Sequence, residues 1–79
     1  MMANKYLKST VLEVVDNQLQ ANEPPITKIT FERLQASGYT KQQAKEKIAA
    51  VVLEEMYDIL KKQEHFNEER YTENLKNLK

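Results

Sequence analysis

The chain has 79 residues, with 12 Lys plus Arg against 12 Asp plus Glu, one His, no Cys, no Trp and a single Gly. That length holds one small core. The missing Cys excludes disulfides, thiolate metal sites and thiol nucleophiles, and one Gly excludes a phosphate-cradling Gly-rich loop and argues against a hairpin-rich β fold. A net formal charge of zero supplies no general attraction to nucleic acid or to an anionic membrane.

Punctuation divides the chain into four segments, each with helical rather than alternating periodicity. The first helix is expected over residues 4–21, where Leu7, Val11, Val14, Val15 and Leu19 recur at helical spacing. Pro24 and Pro25 stop it, because they lack N–H donors and fix φ. A short second helix is expected over residues 27–37, with Ile26, Ile29, Phe31 and Leu34 as its apolar content. Gly38 then suits the left-handed position that closes a helix.

Thr40 and Gln43 form a T-x-x-Q capping box at the start of a third helix, residues 41–62. Ala44, Ile48, Val51, Val52, Met56, Ile59 and Leu60 are expected to trace its buried stripe. At 1.5 Å per residue this helix is about 33 Å long and forms the spine of the fold. Asn67 is a suitable N-cap for a fourth helix, residues 68–77, with Phe66 expected to pack back on Tyr71. Short connections join the elements, so the expected architecture is a small all-α, four-helix bundle-like domain. The first helix should lie along the third, the second bridge one end, and the fourth fold back.

Two polar residues fall inside apolar stripes: Gln18 on the first helix and Glu55 on the third. A buried Glu is costly unless paired or protonated, and the Gln18 amide is the expected donor to the Glu55 carboxylate. Three readings stay open: a hydrogen bond that fixes helix register, a ligand-binding or catalytic carboxylate in a cavity, or a wet boundary pair.

Lys28, Arg33, Lys41, Lys45 and Lys47 gather around the start of the third helix and form a candidate anion patch. The competing reading is a solvated lysine-rich face with Gln42, Gln43 and Glu46 interleaved. Residues 31–50 also have the outline of a helix-turn-helix, but the balanced charge argues against DNA reading. His65 stands alone in an expected loop, without a second metal ligand or a positioned nucleophile.

Gln18, Pro24-Pro25, Arg33-Leu34, Gly38-Tyr39, Ala44, Glu55 and Glu69-Arg70-Tyr71 together resemble a group of short bacterial all-helical proteins, a domain of unknown function. The likeness runs from about Leu7 to Leu78. It implies an all-α domain with no established activity. Relatives of this kind carry histidines on the first helix and just after the position of Ala44. Val11, Val14 and Glu46 stand in those regions here, so no metal site is carried over.

The expected function is a non-enzymatic protein-interaction or structural module, with an unknown protein or a second copy as partner and no cofactor or metal. One alternative is a small-molecule or metal-binding helical protein using Glu55, Gln18 and Tyr57. Another is nucleic-acid binding through the Lys-rich start of the third helix. Residues 1–12 lack the apolar run of a targeting segment and no stretch approaches membrane-span length, so the expected location is the cytoplasm.

Overall fold

The computed structural model describes residues 2–79, with side chains described from Leu7 onward. Its four helices are α1 (Met2–Ala21), α2 (Pro25–Ala36), α3 (Lys41–Lys62) and α4 (Glu68–Lys76), with no strand among the described residues. The fold is a small all-α bundle. Among the described residues, no helix is long and apolar enough to cross a membrane.

Local chemistry sets each boundary. Pro24, extended at φ −73° and ψ 152°, precedes Pro25 in the first turn of α2, where its missing N–H costs nothing. α2 thus starts two residues earlier than expected. Thr40 and Gln43 form the reciprocal capping box: the Gln43 N–H donates to Thr40 Oγ1 at 3.0 Å and the Thr40 N–H to Gln43 Oε1 at 2.9 Å. Asn67 caps α4 by accepting from the Arg70 N–H at 3.0 Å.

Three helices end on a left-handed residue bridged by a backbone hydrogen bond. Past α2, the Tyr39 N–H reaches the Leu34 carbonyl and the Gly38 N–H reaches that of Gln35, with Gly38 at φ 105°. Past α1, the Glu23 N–H reaches Gln18 and the Asn22 N–H reaches Leu19, with Asn22 at φ 53°. Past α3, the Glu64 N–H reaches Ile59 and Gln63 holds φ 52°. The left-handed residue is therefore Gly at only one of these turns.

α3 packs against each of the other helices, while among the described residues α1 and α4 do not meet backbone to backbone. The core is built from Val11 and Val15 of α1, Leu34 of α2, Ala44, Ile48, Val51 and Val52 of α3, and Tyr71 and Leu75 of α4. Val11 of α1 lines one groove with Ala49 of α3, and Gln18, near the end of α1, lines another with Glu55. Phe66 packs on Tyr71 with ring centroids 5.4 Å apart, the expected staple onto α4.

Leu60, expected on the α3 stripe, and Ile29, part of the apolar content of α2, lie outside the core. Leu60 is 75% exposed, because it follows Ile59 by 100° around the helix and leaves the buried arc. Ile29 is 57% exposed; α2 buries Thr27, Thr30 and Leu34 instead.

Candidate functional site

Glu55 is 2% exposed, and its carboxylate is fully engaged. Arg70 of α4 donates Nε to Oε1 at 2.9 Å and Nη2 to Oε2 at 2.8 Å, a bidentate pair. The Asn67 N–H donates to Oε2 at 3.1 Å. Arg70 Nη1 also donates to Glu64 at 2.6 Å, and Asp58 lies 3.8 Å from Nε. The Arg70 hydrogen bonds hold the Glu55 pKa below its ordinary value, outweighing the opposing effect of burial. Such a carboxylate is ionised at neutral pH and already accepts three hydrogen bonds, the opposite of a poised general acid.

Gln18 forms a second polar centre. Its Oε1 accepts from the Thr27 hydroxyl at 2.8 Å and from the Tyr71 hydroxyl at 2.9 Å. The two hydroxyls lie 3.5 Å apart. Burial pushes the Tyr71 phenol above its usual pKa, while the bonds to Thr27 and Gln18 pull the other way. Tyr71 is thus a protonated donor at neutral pH. No buried side-chain polar atom lacks a partner among the described residues.

The expected Gln18–Glu55 hydrogen bond is not formed. Both residues line one cavity of about 190 Å³ with Val14, Val52, Met56 and Phe66. α4 supplies a separate partner to each: Tyr71 to Gln18 and Arg70 to Glu55. Tyr57 does not join them. Two residues beyond Glu55 it is turned about 200° around the helix, and it is 61% exposed.

The candidate anion patch is dispersed. Lys45 pairs with Asp16 at 2.8 Å. Lys47 sits over the Tyr39 ring, 4.7 Å from its centroid. Arg33 Nη2 donates to the Leu75 carbonyl at 2.9 Å and so closes the C-terminal end of α4. Lys28 and Lys41 are exposed. The capping box takes up donors at the start of α3 that an anion would need. His65 is exposed in the loop before α4, and no group of three acidic, His or Cys side chains suited to a metal ion occurs among the described residues.

A different surface emerges on α3. Ala50, Leu53, Tyr57 and Leu60 fall within an arc of about 80°, roughly opposite Ile48 and Glu55 on the helical wheel. Tyr57 and Leu60 are 61% and 75% exposed. Toward α1 this stripe runs into a groove of about 270 Å³, lined by Leu7, Val11, Leu12, Ala49, Ala50 and Leu53. The Lys8–Glu46 ion pair, 3.2 Å long, stands on its rim. Sequence periodicity merges this stripe with the core stripe. The signal that separates them is Leu53 and Tyr57, which lie well off the arc of Ala44, Ile48 and Val51.

No protein family, curated protein or solved structure matches the chain.

Proposed function

We propose that the chain is a non-enzymatic protein-interaction module whose contact surface is the outer face of α3 together with the α1–α3 groove. The observation that carries this reading is the second apolar stripe of α3, which leaves Tyr57 and Leu60 in water beside an open apolar groove. Large exposed apolar side chains that adjoin one another on one face mark contact sites more often than scattered ones do.

The polar centres favour the same reading. Glu55 already accepts three hydrogen bonds and Gln18 Oε1 two, so both serve the docking of α4. A ligand in the 190 Å³ cavity would find the Glu55 oxygens occupied. Nucleic-acid binding would lose Arg33 and Lys45, which are paired within the fold, and would find the remaining lysines of the patch dispersed.

A photo-crosslinking residue at Tyr57, compared with one at the exposed Glu32 of α2, tests the reading in the native host. Protein adducts at position 57 and none at 32 are expected. Equal yields, or none at 57, would overturn it.

A further inference from the structure

We infer that the occupant of this face is a second copy of the chain, docked antiparallel along α3 about a twofold axis that passes between Ala50 and Leu53. This rests on the contact surface proposed above and names its partner. A twofold interface requires a self-complementary surface, and α3 has one in shape and in charge.

The shape argument is a small residue set against a large one. With the axis between them, Ala50 faces the partner's Leu53, and Leu53 faces the partner's Ala50. The exposed Tyr57 and Leu60 of each copy are carried over the N-terminal half of the partner's α3, beside its groove. Tyr57 then lies level with the partner's Glu46, whose carboxylate can accept from the phenol. Glu46 is already at the rim in its pair with Lys8, so the perimeter is polar where the centre is apolar.

The charge argument decides the direction. Lys47 and Glu54 lie on one flank of the stripe, Lys47 toward the N-terminal end of α3 and Glu54 toward the C-terminal end. An antiparallel copy brings Lys47 of each chain to the partner's Glu54, the flanking arrangement that sets orientation between paired helices. A parallel twofold copy carries this flank of each chain to opposite sides of the seam, so Lys47 and Glu54 find no partner in each other. The formal net charge of zero adds no long-range repulsion between copies.

Sedimentation equilibrium on the full chain tests this, with circular dichroism to check folding. Wild type is expected to approach twice the chain mass as concentration rises. Leu60→Glu, at a position 75% exposed and therefore tolerant in the monomer, should weaken association about tenfold or more. Lys47→Glu and Glu54→Lys should each weaken it, because each sets like charges together twice. Mixed one to one, these two variants should form a heterodimer close to wild-type affinity, since both flanking pairs are opposite in sign again.

A wild-type monomer up to millimolar concentration would overturn the inference. So would a dimer that Leu60→Glu leaves intact, or a mixture no tighter than its separate components. Crosslinks from Tyr57 to other proteins, with a monomer in solution, would overturn the second copy while leaving the interaction surface standing.

Discussion

Glu55→Gln is the sharpest perturbation of the fold, because it removes a charge and keeps the shape. Whichever way the new amide is turned, one oxygen becomes an NH₂ group. Facing Arg70 Nε it opposes a donor with a donor; facing Nη2 and the Asn67 N–H it opposes two. A surviving bond from Arg70 keeps its charged donor but loses the ion-pair attraction, and a surviving bond from the Asn67 N–H becomes neutral on both sides and weaker. Breaking a fully buried pair from one side costs about 3–5 kcal/mol. Here the stranded partner, Arg70, keeps 24% side-chain exposure and can be hydrated, which puts the expected loss nearer 2–3 kcal/mol. For a domain of this size that lowers Tm by roughly 10–20 °C.

The pH dependence carries the reasoning further. The Glu55 pKa is lowered in the folded state from its ordinary 4.5. Its stabilising contribution is therefore fully present above 4.5 and is lost as pH falls through the lower folded value. The gap between wild type and Glu55→Gln, measured by urea unfolding followed by circular dichroism, should be widest at neutral pH and close as Glu55 protonates. A gap of only a few tenths of a kcal/mol at neutral pH, or one that persists unchanged in strong acid, would refute the account of the Glu55–Arg70 pair.

Further outcomes follow from other contacts. Tyr71→Phe should cost about 1–2 kcal/mol in urea unfolding by removing the hydroxyl that bonds Gln18. Its effect should fall short of additive with Gln18→Leu, because the two share one bond. In an absorbance titration of wild type, one tyrosine, absent from the Tyr71→Phe spectrum, should ionise above the ordinary 10.0. Gln63→Gly should raise stability by about 0.5–1 kcal/mol in the same assay, since Gln63 holds φ 52° at the end of α3. Thr40→Ala should lower it by about 1 kcal/mol by breaking the capping box.

The features that could be read in the sequence are those whose chemistry closes within a turn of helix. Thr40 with Gln43, the Asn67 cap, Gly38 and the Phe66–Tyr71 staple all join residues within five positions of each other, so spacing alone specifies them. The partners of Glu55 and Gln18 depend instead on where α4 lands. Arg70 is 15 residues from Glu55, and Tyr71 is 53 residues from Gln18. A buried carboxylate demands a cation, but sequence spacing could not choose among 12 Lys and Arg residues. The left-handed turns at Asn22 and Gln63 carry a weaker sequence signal than Gly38, since asparagine takes that conformation less readily than glycine and glutamine rarely does. Leu60 shows the limit of a wheel drawn too broadly: one residue beyond Ile59 takes a leucine from the core edge to the surface.

Arg33, reaching from α2 to the Leu75 carbonyl, has a kinetic consequence. α4 is nine residues long, well short of the 12–15 that an isolated helix needs for marginal stability in water. Its order is borrowed from side chains on α1, α2 and α3 that must already be assembled. α4 is thus expected to dock after the other three helices and to detach before them. Substitutions at its anchors should accelerate unfolding while leaving the folding rate nearly untouched, and its amides should exchange through partial opening before those of α3.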